Sequence, residues 1–365
     1  MLKQGFIGKQ QEINKARKYM KYSAKQITKA GVILTTSKDA DAVAEAIKII
    51  NDWRVPHFTV IEILMKELKN LFLKNTVSFF SSYRLKRMTS IQYKLDINPK
   101  MGLGGMQDIA GGRFVFPDIS ILTSAYSLLQ SNNIPQFELV KEDDYVHRPK
   151  DSGYRSIHLV YKYHSSADED MDNMKVEIQL RTQLQHSWAM AVETAGLVTN
   201  TAMKSGQGSD DWQYFFHVVS CLFSIEEKTP VMQTYCKETS MSLINKLRIT
   251  NKKYKFIDQL QALKVSFNVV ERNSYQGEMY LLYINFETKM LQISTFNKDS
   301  SDEANEKYYK LENHVRDGKS ATVLVSVSDY KELRDAYPSY FLDMDDFNNR
   351  LNRYLNAGKK FRGFR

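Results

Sequence analysis

Apolar residues recur at helical spacing in the first part of the chain and predict three helices. A lysine-rich helix is expected over residues 7–30. A second is expected over residues 39–53, because Asp39 is a suitable N-cap. A third should follow Pro56, since apolar side chains return at every third or fourth position from Val60 to Leu71. Each of these helices therefore has an apolar face to bury.

The middle of the chain changes to strand patterning. Short strands are expected at residues 113–116, 158–163 and 175–180, followed by a helix at 183–196. In the third strand, alternation places Glu177, Gln179 and Arg181 on one face and apolar residues on the other. Helices interleaved with strands in this order predict an α+β fold, a mixed β-sheet flanked by helices.

The last hundred residues return to strand patterning after a helical region that ends near residue 262. Residues 279–286 and 290–296 flank a three-residue turn and predict a hairpin, and residues 321–327 predict one more strand. Helix and turn are expected over residues 329–357. We therefore expect two domains, a larger one over residues 1–262 and a second, smaller α/β domain over residues 263–365.

Composition is that of an ordinary globular protein. The chain has 365 residues, of which 42% are hydrophobic and 25% charged, so a sizeable core can form without disulfides. Its two cysteines are too few for a disulfide framework and fit a reducing compartment. No apolar run approaches the ~20 residues that span a bilayer, and the N-terminus has no apolar signal core. A cytoplasmic protein without a membrane partner is expected.

Positive charge is concentrated in the first hundred residues. They hold 19 Lys and Arg against 8 Asp and Glu, whereas the rest of the chain is nearly balanced. The most basic part includes Lys15, Arg17 and Lys18. One basic end on a balanced chain favours a polyanionic partner such as a nucleotide or a nucleic acid. A solvated lysine-rich helix face would give the same charge, so both interpretations stay open.

Four segments between residues 83 and 193 combine charged, aromatic and glycine residues in a region otherwise patterned as core. In the first, Lys86, Ser90 and Lys94 recur every four residues. On a helix this spacing gives one face with two ammonium groups and a hydroxyl, which suits a polyphosphate. A solvated basic stripe is the alternative.

The second and third segments supply an acid and an aromatic residue. Asp108 precedes a predicted strand, where it is placed either to bind Mg²⁺ or to cap a turn. In the third segment, Tyr154 lies at the apex of a basic loop between Lys150 and Arg155. An exposed tyrosine among cations is suited to stacking on a nucleic-acid base.

The fourth segment is the strand that carries Glu177, Gln179 and Arg181. A strand face made of an acid, an amide and a guanidinium is unusual in a core and typical of an active-site wall. His158 and His186 lie near these segments in sequence and would either join the site or brace it.

In this order, the four segments resemble the synthetase domain of the RelA/SpoT homologues, the alarmone synthetases, over about residues 80–195. The matching motifs are R-x-K-x-x-x-S-I-x-x-K, D-I-A-G-x-R, P-K-x-x-G-Y-R-S-I-H and E-I-Q-x-R-T-x-x-Q-H-x-W-A. The resemblance implies the nucleotidyltransferase-like fold of these synthetases. It also implies that the β,γ-pyrophosphate of ATP is transferred to a ribose 3′-hydroxyl, classically that of GDP or GTP, with Mg²⁺ as cofactor.

The resemblance further implies a role for each matching residue. ATP would be bound by Arg84, Lys86, Ser90, Lys94 and Arg113, with the two arginines on either side of adenine. Mg²⁺ would be bound by Asp108 and Glu177. Glu177 would also accept the proton of the attacking hydroxyl, so that Glu177, Asp108 and Arg113 form the catalytic set. The acceptor nucleotide would be bound by Tyr154, Lys150, Arg155, His158, Gln179, Arg181 and His186.

The C-terminal residues resemble those of a toxic branch of the family, the fused toxin–antitoxin synthetases of the CapRel type. In that branch the 3′-CCA end of tRNA is pyrophosphorylated, and an antitoxin domain blocks the ATP site until a phage protein binds it. This chain carries a Y-x-x-Y motif formed by Tyr337 and Tyr340. On a helical turn both rings would face the adenine site. Core aromatics of a small domain are the alternative.

Three functions are thus expected in order of preference. The first is a tRNA pyrophosphotransferase for anti-phage defence, inhibited by its own C-terminal domain, in which Lys15, Arg17 and Lys18 contact tRNA phosphates. The second is a GDP/GTP pyrophosphokinase that makes the alarmone (p)ppGpp and has a regulatory tail. The third, a binding module without catalysis, is disfavoured because the acids Asp108 and Glu177 are both present.

Overall fold

A computed structural model shows the architecture of most of the chain. It describes residues 22–166, 171–199, 210–260, 268–270, 277–285, 287–314, 320–327, 329–337, 341 and 344–357. The predicted tRNA-binding residues Lys15, Arg17 and Lys18, and Tyr340 of the predicted Y-x-x-Y motif, lie outside these ranges.

Nine strands in the described ranges form one continuous sheet. They are β1 (Phe80–Leu85), β2 (Ala110–Phe116), β3 (Phe137–Asp144), β4 (Ile157–Tyr163), β5 (Lys175–Thr182), β6 (Asn268–Val270), β7 (Met279–Asn285), β8 (Met290–Phe296) and β9 (Ser320–Ser326). Their order is β3-β4-β5-β2-β1-β9-β7-β8-β6. Strands β2 and β5 run parallel, as do β6 and β8, and the other neighbours are antiparallel. The predicted α+β fold with a mixed sheet is confirmed.

Helices flank this sheet. They are α1 (Ala24–Thr36), α2 (Ala40–Lys74), α3 (Met88–Asp96), α4 (Ile119–Ser131), α5 (Gln183–Thr199), α6 (Asp210–Glu226), α7 (Ser240–Tyr254), α8 (Ser301–His314), α9 (Tyr330–Ala336) and α10 (Asp345–Asn356). Among the helices of these ranges, none is both long and apolar enough to cross a membrane.

The long helix α2 begins as predicted and ends later than predicted. The Asp39 carboxylate accepts hydrogen bonds from the backbone N–H groups of Asp41 and Ala42. The expected division into two helices at Pro56 is wrong, because α2 continues through this proline to Lys74. Proline in a helix interior removes one backbone hydrogen bond, and the helix is held by a buried apolar face on both sides of it.

Beyond residue 263, the described strands extend the sheet of the preceding region and do not start another. Strand β9 pairs antiparallel with β1 at Ser326 and Tyr83, and β7 and β8 follow outward. Helix α10 places Phe347 and Leu351 in one apolar cluster with Trp212 of α6. The C-terminal region therefore shares both a sheet and a core with the rest of the chain, and the boundary at residue 263 stays a prediction.

Candidate active site

A cavity lies over the central strands β1, β2 and β5. It is lined by Ser82, Arg84, Lys86, Asp108, Gly111, Gly112, Arg113, Glu177, Gln179 and Tyr337. The strand register explains this convergence, because Gly111 pairs with both Arg84 and Glu177, and Arg113 pairs with Gln179. Three of the four predicted segments and one tail residue thus meet in one cavity.

Two ammonium groups hold the carboxylate of Asp108. Lys86 Nζ lies 2.9 Å from Oδ2, and Lys94 Nζ lies 2.8 Å from Oδ1. Burial alone would raise the pKa of Asp108, but the charges of Lys86 and Lys94 outweigh it and lower that pKa to about 2. Asp108 is therefore ionised at neutral pH and lies between two cations suited to binding phosphates.

These two lysines reach Asp108 from different elements. Helix α3 begins at Met88, so Lys86 precedes it, and the backbone N–H of Lys86 donates to the Ile109 carbonyl at 2.8 Å. The expectation that Lys86 shares a helix face with Ser90 and Lys94 is wrong. Ser90 and Lys94 do lie one turn apart on α3, and Ser90 is not among the residues that line the cavity.

Five side chains beside the cavity form a closed ring of hydrogen bonds, here called the Glu177 ring. Gln179 Nε2 donates to Glu177 Oε1 at 2.7 Å, and Arg181 Nη2 donates to Gln179 Oε1 at 2.7 Å. The same Arg181 nitrogen donates to the Tyr154 hydroxyl at 2.6 Å. The ring closes through His158, whose Nε2 lies 2.8 Å from that hydroxyl and whose Nδ1 lies 3.1 Å from Glu177 Oε2. Both oxygens of Glu177 are therefore held in place.

Charge in the Glu177 ring favours an ionised glutamate. Burial would raise the pKa of Glu177, but the neighbouring His158 lowers it below its usual range. Burial would lower the pKa of His158, but Tyr154 and Glu177 raise it to about 9. For Tyr154, the Arg181 guanidinium and His158 outweigh burial and lower the pKa to about 7. Glu177 is thus an ionised carboxylate at neutral pH, and its two oxygens are oriented by Gln179 and His158.

The structure contradicts the predicted exposure of Tyr154. Its side chain is only 7% exposed, because Gly153, with φ of +85°, turns the loop inward toward Trp188. Arg155 is buried as well and donates to Ser220 Oγ and to the carbonyl oxygen of Val146, so it does not reach the cavity. Of the three predicted residues of this loop, Lys150 is the exposed one, and its Nζ lies 5.4 Å from the centre of the Tyr154 ring.

The tail enters the cavity at the end of helix α9. The Tyr337 ring lies over the Arg113 guanidinium, 5.8 Å from its central carbon, and Arg113 Nη1 donates to the Ala336 carbonyl at 3.1 Å. Burial, with a contribution from Arg181, lowers the pKa of Arg113 to about 10. His186 Nε2 lies 2.9 Å from the carbonyl oxygen of Asp335, so this residue, predicted to bind the acceptor, faces the tail.

Sequence reasoning missed some of the residues that shape the cavity. Ser82 lines the cavity but was not predicted to do so, because the sequence pattern did not predict strand β1. The pair Gly111 and Gly112 lies inside a recognised motif, but its packing role shows only in the structure. A Cβ on Gly112 would lie 2.3 Å from Met65 Sδ of helix α2, which explains why the strand has no side chain there.

The two carboxylates of the cavity fit Mg²⁺ that arrives with a nucleotide. Glu177 and Asp108 are close enough for the charge of Asp108 to raise the pKa of Glu177. Within the described ranges, no group of three or more His, Cys, Asp or Glu side chains could hold a metal ion. Mg²⁺ commonly takes one or two carboxylates and completes its shell with water and substrate phosphates, so this donor set is suited to a shared site.

The part of the sequence that forms this cavity is similar to known proteins. Residues 83–197 match a family model described as "Region found in RelA / SpoT proteins". GTP pyrophosphokinase YwaC of Bacillus subtilis (strain 168) is 30% identical over 136 residues, which cover 36% of this chain and 63% of that protein. GTP pyrophosphokinase YjbM of the same strain is 33% identical over 112 residues, which cover 30% of this chain and 52% of that protein. The chain thus spans less than two thirds of the length of either relative, and the match supports the predicted RelA/SpoT synthetase family.

Solved structures of similar proteins include two from Bacillus subtilis. Small alarmone synthetase 1 is 25% identical, and the match covers 48% of this chain and 91% of that one with a TM-score of 0.42. Small alarmone synthetase 2 is 22% identical, and the match covers 49% of this chain and 93% of that one with a TM-score of 0.41.

Proposed function

We propose that this chain is a pyrophosphokinase that transfers the β,γ-pyrophosphoryl group of ATP to a ribose 3′-hydroxyl. The observation that carries the proposal is a single cavity in which two ionised carboxylates, Asp108 and Glu177, lie beside the cations Arg84, Lys86 and Arg113. Phosphoryl transfer depends mainly on positioning and on neutralising phosphate charge. The printed names of the relatives, GTP pyrophosphokinases, support the same chemistry.

On the donor side, cations of the cavity bind ATP. Arg84 and Arg113 present planar guanidinium groups, which stack on an aromatic base better than an ammonium does. Lys86 and Lys94 pair with Asp108 in the structure and exchange this carboxylate for the phosphates of ATP. Asp108 and Glu177 would hold Mg²⁺, which would supply charge neutralisation on the transferred group.

On the acceptor side, Glu177 acts as the general base. It accepts the proton of the 3′-hydroxyl while the 3′-oxygen bonds to the β-phosphorus, and the bond between that phosphorus and the oxygen bridging to the α-phosphate breaks to release AMP. Gln179 and His158 fix the direction of the carboxylate through its two oxygens. Such orientation keeps the base within reach of the hydroxyl.

For the acceptor we propose the 3′ end of tRNA, with the C-terminal region as an intramolecular inhibitor whose inhibition ends when a phage protein binds it in the cytoplasm. Two observations support this choice. The Tyr337 ring lies over Arg113, where adenine is expected, and the first thirty residues hold eight Lys and Arg against one acid. The alternative, a GDP/GTP pyrophosphokinase that makes (p)ppGpp, is favoured by the names of the relatives.

The test offers γ-labelled ATP with tRNA, GDP or GTP to the full-length chain carrying Tyr337→Ala. Label should appear on tRNA and fall about 10²- to 10⁴-fold when Glu177→Gln removes the base. Neutralising Lys15, Arg17 and Lys18 together should reduce tRNA labelling and flatten its salt dependence. Label on guanosine nucleotides alone would establish the alternative acceptor. A folded protein that labels no acceptor would contradict the pyrophosphokinase assignment itself.

A further inference from the structure

A second contact joins the C-terminal region to the chain beside Lys86, at the edge of the cavity. Helix α8 brings Glu312 against Arg54 of α2, where Arg54 Nη1 donates to Glu312 Oε2 at 2.9 Å. Arg54 is fully buried and also donates, through Nη2, to the backbone carbonyl of Lys86. The other carboxylate oxygen, Glu312 Oε1, accepts from the backbone N–H of Met88 at 2.6 Å. One buried ion pair thus holds the backbone on both sides of Arg87.

This contact completes the start of helix α3. The first N–H groups of a helix need acceptors from outside it, and the N-cap residue Arg87 provides no side-chain cap. Glu312, about 220 residues later in the chain, supplies an acceptor to Met88, the first residue of α3. The same helix carries Lys94, and Lys86 directly precedes Arg87. The placement of Lys86 and Lys94, the two lysines that pair with Asp108, therefore depends on a carboxylate from the C-terminal region.

Both oxygens of this carboxylate accept hydrogen bonds. The Tyr308 hydroxyl donates to Glu312 Oε1 at 2.5 Å, and Asn51 Oδ1 accepts from Arg54 Nη1 at 2.7 Å. A buried ion pair is costly to desolvate, and removing one partner leaves an uncompensated charge.

We propose that Glu312 and Arg54 are positioning residues for the ATP phosphates, through which helix α8 caps α3 and places Lys86 and Lys94. The C-terminal region then has two opposite effects on the cavity. Tyr337 covers the adenine side, whereas Glu312 builds the phosphate side. An activator must withdraw Tyr337 while leaving α8 in place, because displacing the whole region would remove the cover and the support together.

The proposal rests on the proposed function in treating Lys86 and Lys94 as phosphate ligands and Tyr337 as the cover of the adenine side. Its test uses the full-length chain with Tyr337→Ala, to which Glu312→Gln is added. A glutamine has one carbonyl oxygen for the three donors Arg54, Met88 and Tyr308, and its amide nitrogen cannot accept a hydrogen bond from any of them. Calorimetric titration with a non-hydrolysable ATP analogue and Mg²⁺ should show roughly tenfold weaker binding. Binding of adenosine, which has no phosphates, should not change.

A matched control breaks another ion pair between the C-terminal region and the rest of the chain. Arg350 of α10 pairs with Glu226 of α6, and neither residue lines the cavity. Arg350→Ala should leave binding of both ligands unchanged. Equal weakening of the ATP analogue and adenosine by Glu312→Gln, or no weakening of either, would overturn the positioning role.

Hydrogen exchange tests the cap without any nucleotide. In Glu312→Ala, which leaves no side-chain oxygen to accept from Met88, the amide of Met88 should exchange faster than in the parent chain, and unchanged protection there would overturn the proposal. A parent chain that shows the protected Met88 amide but binds no ATP analogue would refute the proposed function instead. The two failures are therefore distinguishable.

Discussion

Replacing Tyr337 with alanine should open the cavity to ATP. The Tyr337 side chain is 5% exposed, and its ring lies over the Arg113 guanidinium. Burial of a large apolar side chain contributes about 1.5–3 kcal/mol, and a partly buried cation–π contact adds about 1 kcal/mol. Losing both removes roughly 2–4 kcal/mol from the covered state. At about 1.4 kcal/mol per tenfold, the ratio of open to covered cavities should rise roughly 30-fold to several-hundred-fold.

This shift is measurable as nucleotide affinity. For a ligand that binds only the open cavity, the apparent Kd equals the Kd of the open cavity divided by the fraction of chains in which the cavity is open. Tyr337→Ala should therefore lower the apparent Kd for a non-hydrolysable ATP analogue with Mg²⁺. Calorimetric titration of the full-length chains measures both values. Tyr337→Phe is the matched control, since it keeps an aromatic ring over Arg113 and should bind the analogue as the unmodified chain does.

Two results would refute this reasoning. The first is an equal Kd for the unmodified chain and Tyr337→Ala when both unfold cooperatively on heating. The second is a Tyr337→Phe chain that binds the analogue as tightly as Tyr337→Ala, since the ring itself would then not cover the site.

Two further predictions concern stability. Gly112→Ala should destabilise the chain by about 1–3 kcal/mol in urea unfolding, because the new Cβ would lie 2.3 Å from Met65 Sδ. Gly105→Ala, whose new Cβ would have nothing within 4 Å, should change the free energy of unfolding by less than about 0.5 kcal/mol. Equal effects of the two substitutions would contradict this packing. Glu177 helps raise the pKa of His158, so protonated His158 stabilises the folded chain. This contribution to the free energy of unfolding is complete below about pH 6.5 and is lost as the pH rises through the raised pKa. In Tyr154→Phe, where Glu177 still raises the pKa of His158, the free energy of unfolding should therefore fall as the pH rises above about 6.5. Adding His158→Gln should abolish this fall, and an equal fall in both variants would contradict the prediction.

The polar wall of the site was predictable because it lies on one strand. Alternation in β5 places Glu177, Gln179 and Arg181 on a common face whatever the rest of the fold does, and the structure joins these three in the Glu177 ring. The predicted strands of the central sheet were recognisable for the same reason. Their inward residues, such as Ile178, are uniformly apolar and buried.

Elements whose residues face other parts of the chain were not predictable. Strand β3 lies at the edge of the sheet, and its run of charged residues hides the strand period. Strand β1 is partly polar because it faces the cavity and the C-terminal region. Because strand β1 was not predicted, the four-residue spacing of Lys86, Ser90 and Lys94 was interpreted as one helix face. The helix in fact begins at Met88, after Lys86.

Burial of the loop tyrosine depends on distant partners. Tyr154 is covered because Gly153 turns against Trp188 and Ser220, which lie on helices α5 and α6. No local pattern around Tyr154 contains that information. Likewise, nothing beside Arg54 in sequence indicates Glu312, which is 258 residues away. Long-range partners of this kind require the fold.

The position of the cover late in the chain has a consequence during synthesis. The strands that line the cavity are complete at Thr182, whereas Tyr337 follows about 150 residues later. At ~5–20 residues per second, a ribosome needs roughly 8–30 s to make that stretch. Each nascent chain therefore passes through an interval in which the cavity strands exist and their cover does not. A translation product that stops between these two points would lack the cover permanently.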